Sequence, residues 1–228
     1  MDKNSSAEAI RPVVCYVTDR RAIGATGSIH CVLERVRAAT DAGVDWVQIR
    51  EKDLAALELS HLALGAVRIM EPSTARARVI VNDRLDVAVA AGAAGVHLGR
   101  ESLPASDVVR WCREGNAPSG FLIGVSCHSV EEARQAENAE ASYVFFGPVF
   151  DTPSKKPFGS PQGLARLSEA CRSVRIPVIA IGGVDETNGA ECLRAGAAGI
   201  AAIRLFQESR NVVALAEAVA RVKHFAAR

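Results

Sequence analysis

An α/β protein folded as a single (β/α)8 (TIM) barrel is predicted by three observations. Short apolar runs rich in β-formers recur eight times along the chain, each followed by a polar loop and then a helical pattern. The joints from helix to strand repeat in wording: DAGVDWVQI, AGAAGVHL and AGAAGIAAI each place Ala-Gly at a helix end and an apolar strand just after it. The length, 228 residues, suits one barrel of this kind, typically about 250 residues. A doubly wound sheet is the alternative arrangement, but its usual mark, GxGxxG after the first strand, is absent.

After a polar tail through residue 12, expected to be flexible, the barrel domain is placed at 13–228. Val13 to Thr18 forms the first strand, and Asp19 and Arg20 end it at a loop containing Gly24 and Gly27. A helix capped by Ser28 follows, with Ile29, Val32, Leu33, Val36 and Ala39 on one apolar face, and it stops near Gly43. Trp46 to Ile49 is the second strand; Arg50, Glu51, Lys52 and Asp53 then lead into a helix from about Leu54 to Met70. Val79 to Val81 runs into Asn82 and Asp83 and a short helix through Ala91. Gly95 to Leu98 is followed by Gly99, Arg100, Glu101 and Ser102 and a helix opening at Pro104 to Asp107. Phe121 to Ser126 leads to His128 and a helix capped by Ser129, with Glu132 three residues on completing a capping box. The sixth strand begins at Tyr143 and runs through Phe146 toward a polar loop ending at Lys156. Pro177 to Ile181 enters Gly182 and Gly183, and Gly199 to Ile203 enters Arg204, before an amphipathic helix from about Val212 to Phe225.

Composition narrows the function classes. A formal net charge of +1 supplies no field for a polyanion, which argues against nucleic acid. No apolar run approaches the roughly 20 residues that span a bilayer, and MDKNSSAEAI lacks the hydrophobic centre of a signal peptide, so a cytoplasmic protein without a membrane partner is expected. Cys15, Cys31, Cys112, Cys127, Cys171 and Cys192 show no metal-ligand spacing and read as reduced thiols. Cys127 reads as a buried packing residue although it adjoins His128.

In such a barrel the residues just after each strand converge on one mouth. Gln48, Arg50 and Lys52 alternate, which would send an amide, a guanidinium and an ammonium to the same side. Asn82 and Asp83 offer an amide for a heterocycle and a carboxylate for a hard cation, or alternatively a helix cap. Thr152, Ser154, Lys155 and Lys156 suit phosphate, or form an ordinary basic surface loop. Gly182-Gly183 and Ile203-Arg204 each read as backbone N–H groups exposed at a helix start, the usual phosphate cradle after the last two strands. The Gly pair alone would also fit a tight turn. His128 and Ser126 sit at a strand end, where either hydrogen-bonded structure or proton transfer is open to the histidine; His97, inside a strand, reads as structural.

The ordered set CYVTDR, VQIREKD, VNDRLDVA, GVHLGRESLP, IGVSCHS, FFGPVFDTPSKK and VIAIGGV resembles thiamine-phosphate synthases and their relatives the thiazole tautomerases, from about Val13 to Ser209. That resemblance implies a barrel joining hydroxymethylpyrimidine diphosphate to hydroxyethylthiazole phosphate, with release of diphosphate and the help of Mg2+. It implies that Gln48 and Asn82 hold the pyrimidine, that Arg50, Lys52 and Lys155 neutralise the diphosphate, and that Asp83 binds Mg2+. Thr152, Ser154, Gly183, Ile203 and Arg204 would receive the thiazole phosphate, with Ser126 near the reacting centre. It further implies small phosphorylated heterocycles as partners and a homo-oligomer, commonly a dimer.

Two positions depart from the family pattern. Where synthases carry a GQED-like sequence with a second metal-binding aspartate, this chain reads GRES, with Arg100 for the glutamine and Ser102 for the aspartate. Glu101 or Ser102 would have to contribute, or the metal would rest on Asp83 and the substrate phosphates. Arg204 stands where a serine is typical. Both departures fit a metal-independent tautomerase with His128 as the acid-base residue, whereas the full set of Gln48, Arg50, Lys52, Asn82 and Asp83 fits a synthase. A barrel that binds thiamine precursors without turnover is the third reading.

Overall fold

A computed structural model of the chain describes residues 11–23, 28–71, 77–152, 160–208 and 212–225. Eight strands close into a parallel barrel in chain order: β1 (Val13–Val17), β2 (Trp46–Ile49), β3 (Arg78–Asn82), β4 (Gly95–Leu98), β5 (Leu122–Cys127), β6 (Tyr143–Phe146), β7 (Val178–Ile181) and β8 (Gly199–Ala202). The connecting helices are α1 (Ile29–Asp41), α2 (Ala56–Met70), α3 (Leu85–Ala90), α4 (Ala105–Trp111), α5 (Val130–Asn138), α6 (Gly163–Ser173), α7 (Gly189–Arg194), α8 (Arg204–Gln207) and α9 (Val212–Phe225). Residues 1–10 of the expected tail lie outside the described residues, as do Ser154, Lys155 and Lys156.

Period-two alternation divides each strand between two cores. Outward positions such as Val14, Val47, Val79, Val81, Val96 and Ile200 pack under the helices. Inward positions, Cys15, Val17, Tyr143, Phe145, Ile179 and Ala201, fill the barrel. Burial on both faces explains why the strands read as near-continuous apolar runs.

Helix ends follow the expected chemistry with two differences. Ser28 caps α1 by accepting the Cys31 N–H, and Gly43 turns the chain away at φ +85°. Ser129 caps α5 by accepting the Glu132 N–H at 3.1 Å, but the Glu132 carboxylate takes the N–H of His128, so the reciprocal half of the box is displaced by one residue. Gly182-Gly183 does not start a helix: both residues have positive φ, at 90° and 68°, and α7 begins only at Gly189. The expected helix start at Ile203-Arg204 is present, because α8 opens there as a single extra turn.

Asp45, just before β2, joins three parts of the fold. Its carboxylate accepts the Val14 N–H of β1 at 2.9 Å and meets the Lys223 ammonium of α9 at 2.8 Å, while Lys223 also donates to the Gly43 carbonyl at 2.7 Å.

Candidate active site

The mouth is built at the C-terminal ends of the strands. Gln48, the third residue of β2, faces the barrel axis and is only 2% exposed, and its Nε2 is buried without a hydrogen-bond partner among the described residues. A buried amide donor left unmet costs free energy unless something else accepts from it. Register sets Gln48 opposite Ile80 of β3, and Asn82, two residues further along β3, opposite His97 of β4. Both amides therefore serve the same mouth.

Beyond β2 the backbone turns. The Arg50 N–H donates to Thr18 Oγ1 at 3.0 Å, and Glu51 is buried, its carboxylate accepting the Arg20 N–H at 3.0 and 3.1 Å. Burial raises the Glu51 carboxyl above the usual carboxylate range, and the Thr18 and Arg20 hydrogen bonds pull against that rise. Arg20 also pairs with Asp53, which Arg21 reaches at 3.0 Å. This web fixes the segment that carries Arg50 and Lys52. The strand ends at Ile49, so the alternation expected to align Lys52 with Gln48 and Arg50 stops short, and Lys52 stands exposed in a turn. Thr18 and Glu51 support the mouth without being candidate site residues by sequence; their only signals are the polar ends of CYVTDR and VQIREKD.

Asp83 adopts φ +71°, a left-handed backbone uncommon outside glycine and asparagine, and donates its N–H to the His97 carbonyl at 2.8 Å. Neither Asn82 nor Asp83 caps α3, whose N-terminal flanking residue is Arg84 without a side-chain cap. The exposed carboxylate of Asp83 instead accepts the hydroxyl of Ser102 through Oδ1, and Ser102 Oγ in turn accepts the Gly99 N–H at 2.7 Å. Ser102 thus stands directly beside Asp83, while Glu101 is exposed and the exposed Arg100 reaches Glu132 at 3.9 Å. No group of three or more His, Cys, Asp or Glu able to hold a metal is assembled among the described residues. Asp83 with the hydroxyl of Ser102 offers hard oxygen donors, which fit a cation that draws most of its shell from phosphate and water.

The centre of the mouth is hydrogen-bonded. His97 is buried, with Nδ1 3.2 Å from the Tyr143 hydroxyl and Nε2 2.9 Å from Ser126 Oγ, and it packs on the Phe145 ring at 4.4 Å. Burial foremost, with the positive charge of Arg50, pushes the imidazole down to about 3, so it stays neutral. Because the unfolded chain takes up a proton near 6.5 and the folded one only near 3, stability falls as pH drops through that interval. A His97→Gln variant is expected to lose about one proton's worth of that acid slope, roughly 1.4 kcal/mol per pH unit, in denaturant titrations between those limits. An unchanged slope would remove His97 from the account.

His128 is half-buried; its Nδ1 lies 2.5 Å from the Gly147 carbonyl, which only an Nδ1–H donor can satisfy. The Cys127 thiol is buried and pushed up to about 12, chiefly by desolvation, as befits a packing residue. All six cysteines are free.

On the far side, Gly147 lies against Ile181, and Val149 and Phe150 extend along the end of β7 by donating to the carbonyls of Ile181 and Gly182 at 2.9 Å each. A Cβ at Gly183 would lie 2.6 Å from the Asp151 carbonyl oxygen, so this turn admits only glycine. Asn188 Nδ2 donates to the Gly183 carbonyl at 2.9 Å, and Asn188 is itself held by Asp185. Ile181 pairs with Ala201, so β7 and β8 end side by side at the rim, and the chain passes from them into Gly183 and Ile203. Against the rise that burial imposes, hydrogen bonds from Thr187 and Asn188 hold Asp185 below the usual carboxylate range, with a smaller contribution from the charge of Arg204, exposed at the start of α8; Thr152 is half-buried.

Among the described residues no helix is long and apolar enough to cross a membrane. A family model described as thiamine monophosphate synthase matches residues 14–206. The thiamine-phosphate synthase of Roseiflexus castenholzii is 40% identical over 193 residues, covering 85% of this chain and 80% of that one. That of Methanoculleus marisnigri is 42% identical over 205 residues, covering 90% and 92%. The structure titled thiamine phosphate pyrophosphorylase from Pyrococcus furiosus superposes with a TM-score of 0.78 at 30% identity, covering 96% of this chain and 97% of that one. With its barrel, its ordered strand-end motifs and these likenesses in agreement, the chain belongs to the thiamine monophosphate synthase family.

Proposed function

We propose that the chain is a thiamine-phosphate synthase, a transferase joining hydroxymethylpyrimidine diphosphate to hydroxyethylthiazole phosphate with diphosphate as the leaving group. The observation that carries this reading is the buried, unpartnered Nε2 of Gln48, an amide donor at the mouth that requires an acceptor such as a ring nitrogen. Asn82 adds a second amide from the neighbouring strand. Arg50 and Lys52 supply positive charge where a diphosphate departs, with Lys155 as the cation from the loop after β6. Bound to Asp83, Mg2+ would neutralise charge on the phosphate oxygens.

Within this reading the chain's own groups bind and orient. Gly183, Ile203 and Arg204 at the rim receive the thiazole phosphate together with Thr152 and Ser154, through backbone N–H groups, hydroxyls and a guanidinium. Ser126 borders the pyrimidine carbon at which the new bond forms, and charge developing there needs no protein nucleophile. His128, on which a tautomerase would depend, has Nδ1 and its backbone N–H engaged by Gly147 and Glu132.

The test supplies both heterocycles with Mg2+ and follows thiamine phosphate and diphosphate. Gln48→Ala is expected to raise KM for the pyrimidine substrate about tenfold or more, the loss of one buried hydrogen bond with its partner stranded. Turnover of a thiazole carboxylate phosphate alone, with no thiamine phosphate formed, would overturn the proposal in favour of the tautomerase.

A further inference from the structure

His97, Tyr143 and Ser126 come from three consecutive strands, β4, β6 and β5, and meet inside the barrel just below the mouth. Gly124 of β5 leaves the space they occupy: a Cβ there would overlap the Tyr143 phenol and lie 2.6 Å from His97 Nδ1. The chain has therefore kept a strand position bare so that a phenol and an imidazole can touch.

Counting hydrogens fixes the direction of the network. Among the described residues the Tyr143 hydroxyl has one hydrogen-bond partner, His97 Nδ1 at 3.2 Å. If Nδ1 carried the proton, the phenolic hydrogen would be buried with nothing to receive it. Tyr143 therefore donates to Nδ1, the neutral ring carries its hydrogen on Nε2, and Nε2–H donates to Ser126 Oγ at 2.9 Å. Ser126, half-buried on an inward position at the end of its strand, then has its own hydrogen directed away from the histidine.

We propose that Tyr143 and His97 are positioning residues that commit the Ser126 hydroxyl to donating a hydrogen bond into the mouth, toward a lone-pair acceptor of the bound substrate, a ring nitrogen or phosphate oxygen. The identity of that substrate rests on the synthase reading, whereas the direction of the network does not. Discrimination follows: the Ser126 hydrogen has to find an acceptor in the mouth, so a substrate that presents a lone pair at that point is favoured over one that presents none.

Two measurements test it. In nitrogen NMR of histidine-labelled protein, His97 is expected as the Nε2–H tautomer; an Nδ1–H tautomer would overturn the proposal, and this arm needs no turnover. In kinetics, Ser126→Ala and Tyr143→Phe are each expected to lower kcat about tenfold, the loss of one directed hydrogen bond. The double variant is expected to match Ser126→Ala alone, because Tyr143 acts through Ser126. Multiplying losses would show that Tyr143 acts elsewhere and would overturn the proposal. Absence of turnover in the parent protein would count against the synthase reading and leave the tautomer result to decide the network.

Discussion

Asp83→Asn is expected to lower turnover by about 10²–10³-fold, the range typical for removing one preorganised charge stabiliser. The substitution separates chemistry from folding unusually well. Asparagine tolerates the left-handed backbone at φ +71° as readily as aspartate, and the N–H that bonds the His97 carbonyl is retained. An amide oxygen can still accept the Ser102 hydroxyl, so the network through Gly99 survives. What disappears is the negative charge on an exposed side chain. The midpoint of denaturant unfolding is therefore expected to stay within about 0.5 kcal/mol of the parent, while the concentration of Mg2+ needed for half-maximal rate rises. Equal Mg2+ dependence in the two proteins would show that the metal is held elsewhere.

Gly124→Ala is expected to be among the most damaging single methyls in the barrel, costing about 3 kcal/mol or more, at the upper end of overpacking effects. The added carbon would sit closer than 3.0 Å to Tyr143 and His97 at once. Neither ring can retreat: Tyr143 is stacked edge-on against Trp46 at 4.8 Å, and His97 lies against Phe145 at 4.4 Å. Denaturant titration measures the loss. Combining the substitution with Tyr143→Phe is expected to recover little, because the ring itself and not only its hydroxyl overlaps the new methyl. A stable Gly124→Ala protein would mean that the inner layer is far more yielding than its packing indicates.

The barrel was legible because parallel strands buried on both faces leave long apolar runs, and because Ala-Gly joints recur at equivalent places. Gln48, Arg50, Asn82 and Asp83 were legible for a related reason: polar side chains immediately beyond such runs fall at one mouth. Where the reading slipped, local rules were overruled by neighbours in space. Lys52 followed the alternation only on paper, since Thr18 and Glu51 end the strand by capturing the Arg50 and Arg20 amides. Glu132 satisfied the spacing of a capping box yet bonded one residue earlier. Gly182-Gly183 has the look of a helix opening, but its role is set by contact with Pro148 and Phe150 of the loop after β6. His97, read as structural, is buried and hydrogen-bonded inside the barrel, but its partners Tyr143 and Ser126 come from separate strands, a grouping that no linear motif displays.

Every seam of the barrel but one joins strands adjacent in the chain, and the exception, β1 with β8, brings together the two ends of the series. Seven of the eight pairings can thus accrete unit by unit at modest loop entropy, while the last requires a ring closure whose cost grows only slowly with length. The Lys223–Asp45 bond and the packing of α9 across α1 and β1 lie beside that seam, and they act as its latch. Loosening the latch would open the ring into a curved, unsealed ribbon before any single unit unravels.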